Sequence, residues 1–320
     1  MSNLRIGTSG WNYPAGKGTW NGIFYPRATG RRQPGARGPK FDELAYYAEH
    51  FDTVEINTTF YGQPKATVAQ TWADRTPASF EFSLKLYRQL THGDTPGVPQ
   101  PDPTIIDEYR RGIEPLAKAG KIGALLAQFP PSFRQSAESQ AYLDALLARF
   151  HDYPVAVELR HRSWSDNFDK TLSLLNSRKA ALTQIDEPKF KLSIRQNQLP
   201  NITGFYYMRL HGRNAAQWWR HDKSEDRYNY LYSASELKSF AETADAARRL
   251  VKKSYLYFNN HFASKAVVNA VMIKAQLGEP IDGTYPPAFV ETYPETEGIV
   301  STAVLPEFAL VSKSRRGRLK

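Results

Sequence analysis

Residues 53–57 read Thr53-Val54-Glu55-Ile56-Asn57, an alternation of apolar and polar side chains that ends in a carboxylate and an amide. Period-two alternation over this length predicts a strand with one apolar and one polar face. Working outward, seven other apolar runs of similar length occur at residues 4–9, 79–85, 122–128, 155–160, 180–186, 205–211 and 255–259. Segments with helical spacing lie between most of them, at 42–50, 66–75, 105–119, 139–150, 169–177 and 236–252. Near the end, Ser264 reads as an N-cap and Gly278 as the residue that closes a final helix at Leu277. Strand–helix alternation repeated eight times predicts a closed α/β barrel, (β/α)8 and TIM-barrel-like, with eight parallel strands. Residues 187–204 lack a helical pattern, so an irregular crossover is expected after strand six. Residues 280–312 read as a loop-rich wrap, and the whole of 1–320 as one domain ending in a basic tail, 313–320.

Composition narrows the function. With 41% hydrophobic residues the chain can fill a large core, yet no run of eighteen apolar residues exists to span a membrane. The N-terminal residues lack the apolar core of a signal peptide and read as a strand, so a cytoplasmic location is expected. The absence of cysteine excludes disulfides, thiolate catalysis and Cys-ligated metal sites. The net charge of +10 is local. Arg27, Arg31, Arg32, Arg37 and Lys40 form a basic loop without acids, and Lys313, Arg315, Arg316, Arg318 and Lys320 a basic tail. Together they account for the whole excess. A nucleic-acid partner would therefore bind through loop 27–40 and tail 313–320.

Strand parity locates a site. If Val54 and Ile56 face the helices, Glu55 and Asn57 face the barrel interior. The same count turns Lys85, Gln128, Glu158, Arg160, Gln184, Asp186, Arg209, His211 and Asn259 inward. Seven strands thus place a polar or charged residue at the C-terminal end, where active sites of this fold sit. Charges buried together cost several kcal/mol each unless they are paired or kept for a ligand. The alternative is an internal salt-bridge network, pairing Glu55 with Lys85 and Glu158 with Arg160 or Arg209. Three long segments, 10–40, 86–104 and 212–233, are expected to roof the mouth, and their aromatics among Arg and Lys suit stacking on sugars or bases.

These residues also carry a family resemblance. Gly7-Thr8-Ser9-Gly10-Trp11, Phe24-Tyr25-Pro26 and the run from Thr53 through Tyr61 resemble the YecE-like family, domain of unknown function 72. The likeness continues through Lys85 with His92, Gln128-Phe129-Pro130-Pro131 and Glu158-Leu159-Arg160-His161 with Trp164. It reaches Arg209-Leu210-His211-Gly212 and Asn259-Asn260, covering residues 4–277. It implies a TIM-barrel-like fold but no substrate. The basic stretch 27–40 looks longer than the family's usual connection after Phe-Tyr-Pro.

Three functions follow. The first is an enzyme acting on a small anionic, sugar-like or phosphate-bearing ligand. Glu55, Lys85, Glu158 and His211 would be its catalytic residues, with acid/base work by the two carboxylates and His211. Trp11, Asn57, Tyr61, His92, Gln128, Arg160, Trp164, Asp186, Arg209, Asn259 and Asn260 would bind substrate. The second is a divalent-metal hydrolase or nuclease-like barrel using Glu158, Asp186, His211 and Glu55 as ligands; otherwise no cofactor is expected. The third is a non-catalytic nucleic-acid-binding module.

Overall fold

The apolar runs become strands because each has an outward face that a following segment covers. The computed structural model describes residues 2–26, 41–93, 97–196, 204–223 and 225–304. Its parallel strands are β1 (Leu4–Ser9), β2 (Thr53–Ile56), β3 (Glu81–Lys85), β4 (Ile122–Gln128), β5 (Val155–Glu158), β6 (Ala181–Leu182), β7 (Gln184–Asp186), β8 (Tyr206–Leu210) and β9 (Ser254–Phe258). They are ordered β6-β5-β4-β3-β2-β1-β9-β8-β7. β6 and β7 are halves of one expected strand. Ala181 and Leu182 pair with β5, whereas Gln184–Asp186 pair with β8. At the break, Thr183 still donates its N–H to the Val157 carbonyl. The run therefore joins both ends of the strand order, which gives the (β/α)8 barrel. The Gln196 side chain bridges the break, donating to the Thr183 carbonyl and accepting from the Ile185 N–H.

The helices are α1 (Glu43–Ala48), α2 (Thr58–Tyr61), α3 (Ala66–Asp74), α4 (Pro103–Lys118), α5 (Ala137–Arg149), α6 (Ser163–Asp166), α7 (Phe168–Ser177), α8 (Ala234–Arg248), α9 (Lys265–Leu277) and α10 (Pro287–Thr292). Ser136 and Ser233 begin α5 and α8 with reciprocal capping boxes. Gly278, at φ +66°, closes α9 as expected. Ser264 does not act as the expected cap: it is itself left-handed, at φ +67°, and its side chain makes no capping bond. Between β7 and β8 the described residues form no helix, in keeping with the irregular crossover.

Outward-facing Val54, Ile56, Phe82, Leu84, Leu125, Val157, Met208, Leu210, Leu256 and Phe258 are buried in the large core shared with the helices. A separate cluster inside the barrel joins Ala124, Leu126, Ala156, Ala181, Phe205, Tyr207, Tyr255 and Tyr257. The interior is thus filled mainly by the rings of Phe205, Tyr207, Tyr255 and Tyr257, with alanines and Leu126 between them. The tyrosine hydroxyls are satisfied there: Tyr255 donates to Glu81, and Tyr257 lies 2.5 Å from Thr53 Oγ1. Gly7 faces this crowded interior, where a Cβ would come within 2.3 Å of the Thr53 carbonyl oxygen. Residues 285–302 pack outside the barrel, where Tyr285 and Phe289 meet Phe24, the centre of an aromatic cluster with Tyr46 and His50. Among the described residues no helix is long and apolar enough to cross a membrane.

Candidate functional site

Above the tyrosines, at the C-terminal ends of the strands, lies a layer of charge. Arg209, on β8, is 1% exposed and reaches across the barrel axis. Its Nε and Nη2 donate to Glu55 Oε2 and Oε1 at 2.8 and 2.6 Å, and its Nη1 donates to Glu158 Oε2 at 2.6 Å. Ser9 and Tyr207 each add a donor to Glu55 at 2.7 Å. Both Glu55 oxygens thus carry two hydrogen bonds, which leaves no lone pair directed at a ligand. Glu158 accepts from Arg160 through Nε at 2.9 Å and Nη2 at 2.7 Å. Although burial opposes its charge, Arg209 and Arg160 hold its carboxyl well below the usual range. The expected pairing of Glu55 with Lys85 is not made: the bidentate fork of Arg209 takes that place. Glu158 pairs with both arginines.

A second layer lies nearer solvent. The Arg160 side chain is 13% exposed and donates through Nη1 to Glu187 at 2.9 Å. Lys85 is 9% exposed, and its Nζ sits 3.8 Å from the centre of the Phe60 ring. Burial, reinforced by Arg209 and Arg160 against the opposing pull of Glu158 and Glu55, brings the ammonium down to about 7. His211 is buried and lowered to about 4 by burial and by Arg209, so it is neutral at pH 7. It meets Arg209 Nη1 at 3.3 Å through Nε2 and Asn259 at 2.9 Å through Nδ1. The Asn259 amide nitrogen donates to Nδ1, which leaves the ring proton on Nε2, 3.5 Å from Glu158 Oε1. Gln128 accepts from Arg209 at 3.4 Å. His92 stacks edge-on against Phe60, 4.8 Å away, and is lowered to about 4 mainly by burial, then by Lys85. Asn57 is half-buried at the start of α2.

Other predicted residues lie elsewhere. Asp186 pairs in register with Leu210, which faces the helices, so it turns outward rather than into the barrel, as does Gln184 opposite Met208. The inward count took the wrong face: Leu182 pairs with outward Val157, and the same unbroken alternation carries Gln184 and Asp186 outward. Asp186 accepts from Arg213 and from the Tyr232 hydroxyl, fastening the loop after β8. Trp164 is fully buried: it stacks on Phe133 and donates to the Phe133 carbonyl, so it supports a loop and has no face toward a ligand. Trp11 packs edge-on against Trp72 of α3. Asn260 is buried and tied to Tyr230 and Asn269. Tyr61 is 77% exposed on α2. The metal-ligand set is not assembled, since Asp186 faces away and the Glu55 and Glu158 oxygens are held by guanidinium groups. Among the described residues no three His, Asp or Glu side chains converge as a metal site. Loop 27–40 and tail 313–320 lie outside the described residues.

Sequence reasoning missed Ser9, Tyr207 and Glu187. Ser9 and Tyr207 are inward by the same parity that located Glu55 and Arg209, but their neutral hydroxyls did not stand out. Glu187 was passed over for its neighbour Asp186, although alternation counted from outward Leu182 turns Asp186 outward and Glu187 inward. Its carboxyl is pushed up by burial, against the pull of Arg160.

The chain matches, over residues 5–292, the family model described as protein of unknown function DUF72. It is 26% identical over 295 residues to UPF0759 protein YunF of Bacillus subtilis (strain 168), covering 88% of this chain and 98% of that protein. A DUF72 family protein of Thermotoga maritima MSB8 (TM1631) has a crystal structure with a TM-score of 0.71 and 31% identity, covering 86% of this chain and 99% of that one. The corresponding values for a DUF72 family protein of Enterococcus faecalis V583 (EF0366) are a TM-score of 0.73, 25% identity and coverage of 87% and 97%.

Proposed function

The chain belongs to the DUF72 family of proteins of unknown function, and from its site we propose an enzyme that takes a small anionic substrate, sugar-like or phosphate-bearing, at the barrel mouth. One observation carries this reading: Glu55, Glu158 and Arg209 are sealed, while Arg160 and Lys85 keep a little exposure above them. A ligand entering from solvent therefore meets cations and amides first, and an anion there replaces water that solvates them poorly. Glu55 and Glu158 act as positioning residues that fix the two guanidinium planes. Proton transfer near neutral pH belongs instead to Lys85, brought down to about 7 by burial and the neighbouring arginines.

Thermal unfolding in inorganic phosphate and in glycerol 3-phosphate, with glycerol as the uncharged control, tests this reading. A ligand at about a hundred times its dissociation constant stabilises by roughly 2.7 kcal/mol, a midpoint rise of a few degrees. The rise is expected with both phosphates, not with glycerol, and is lost in Lys85→Met. An equal rise in Lys85→Met, or none in the wild type, overturns the reading.

A further inference from the structure

Among the described residues two buried lysines, Lys85 and Lys274, make no side-chain hydrogen bond or ion pair; Lys274 lies over Phe51 at the far end of the barrel, whereas Lys85 sits at its mouth. Lys121, which is comparably buried, spends its ammonium on the Ala73 carbonyl, the Thr76 carbonyl and the Thr76 hydroxyl, as a structural lysine should. Lys253 pairs with Glu81, and Lys265 with the Asn229 amide oxygen. Lys85 Nζ has neither a carboxylate within salt-bridge distance nor a hydrogen-bond acceptor among the described residues; its close neighbour is the face of Phe60. The carboxylates that share its layer are committed to Arg209 and Arg160. Its backbone is fixed at the end of β3, where the carbonyl accepts from Thr59 at 2.6 Å and Tyr109 at 3.0 Å. The amine is thus held at the mouth of the barrel, half in an apolar setting, with the immobilised guanidinium of Arg160 in the same layer and that of Arg209 beneath it.

A buried amine beside fixed cations keeps a free electron pair more readily than one in water. We infer that Lys85 is a nucleophile that condenses with the carbonyl carbon of an anionic aldehyde or ketone, whose charged group Arg160 helps to hold. This rests on the anion-binding reading above and narrows its substrate to carbonyl compounds. In the step, the Lys85 nitrogen pair adds to the carbonyl carbon, both N–H protons leave with the carbonyl oxygen as water, and a C=N bond replaces C=O. No electrons are gained or lost. Lys85, lowered to about 7, is about half unprotonated at pH 7, whereas an ordinary lysine is unprotonated there only about once in three thousand molecules.

The test uses the full chain with glycolaldehyde phosphate, the smallest phosphate-bearing aldehyde, and cyanoborohydride to reduce any imine, followed by intact-mass and peptide analysis. A single early adduct on Lys85 is expected, with a pH midpoint near 7 and a rate at pH 7 on the order of a hundred-fold or more above that of the other lysines. Glycerol 3-phosphate, which has no carbonyl, is expected to slow the labelling by competing for the same anion site. Lys85→Arg keeps the positive charge and is expected to retain phosphate-induced thermal stabilisation while losing the adduct. Labelling spread over surface lysines, or centred on the buried Lys274 at the opposite end of the barrel, overturns the inference. If phosphate still stabilises the wild type in a Lys85-dependent way while no adduct forms, the carbonyl chemistry is wrong and the anion site stands. If phosphate does not stabilise the wild type either, both fail.

Discussion

Arg209 shows how one side chain can make a charged barrel interior tolerable. Its fork neutralises Glu55 through two bonds and Glu158 through a third, with all three residues essentially inaccessible. Removing it leaves two carboxylates facing each other without a counter-charge, a change that costs about 3–5 kcal/mol when a buried pair is broken. Arg209→Met is therefore expected to lose roughly that much in urea unfolding. Glu55→Gln combined with Arg209→Met should recover part of it, because the double change removes a buried charge along with its partner. Lys85 behaves in the opposite sense. Its native value, about 7, lies below the ordinary 10.5, so between these pH values the unfolded chain binds a proton that the native protein does not. Native stability then rises with pH through that window, and at pH 7 the lysine is a burden on the fold. Lys85→Met is expected to be more stable than wild type at neutral pH, by on the order of 3 kcal/mol, with the advantage shrinking toward pH 10. Urea midpoints at several pH values measure this directly. A variant that is uniformly less stable would mean that the ammonium is paired in the native state.

The sixth strand run shows what happens when one element must serve two neighbours. Ala181 and Leu182 follow the register of β5, Gln184–Asp186 that of β8, and Thr183 absorbs the difference. The backbone groups left over at the break find their partners in one side chain, Gln196, which accepts from the Ile185 N–H at 2.7 Å and donates to the Thr183 carbonyl at 2.8 Å. Leaving these groups unpaired costs about 1–3 kcal/mol. Gln196→Ala is expected to lose that much stability and to speed amide exchange at Ile185 selectively. Unchanged exchange at Ile185 would show that water replaces the glutamine without cost. The alternation itself runs unbroken through Thr183, so Asp186 shares the outer face with Leu182 and fastens an outer loop, while Glu187 pairs with Arg160 in the site. Parity counting failed at this run because both of its faces are apolar, Leu182 on the outer one and Ala181 and Ile185 on the inner, so no polar alternation marked the face.

At the scale of the molecule, Phe24 links segments far apart in the chain. Its ring touches Tyr46, Tyr47, His50 and Phe51 from α1 and the turn after it, and Tyr285 and Phe289 from the C-terminal segment. The segment after α9 thereby packs against the loop that follows β1, which also supplies Tyr13 stacked on His261 at 4.2 Å. Deleting a buried phenylalanine of this kind costs about 3–5 kcal/mol. Phe24→Ala is expected to show that loss and to release residues 285–302 to limited proteolysis at native pH. A loss of stability without new cleavage would mean that the segment is held independently of Phe24.

Much of this was legible in the residues alone. Eight apolar runs separated by helical patterns required a barrel, and alternation within a run such as 53–57 put Glu55 inside, because a strand has only two faces and the helices claim the apolar one. The same reasoning brought Lys85, Glu158, Arg160, Arg209 and His211 to one end of the barrel. The tertiary structure decided the pairing. Coulomb attraction makes Glu55 an equally reasonable partner for Lys85 or for Arg209; only the distance across the closed ring, and the fit of a planar fork to a carboxylate, selects the arginine. That choice leaves the lysine without an acid. Which charges are spent on the fold and which remain for a ligand depends on contacts between strands distant in sequence, and a pattern read along one strand does not contain them.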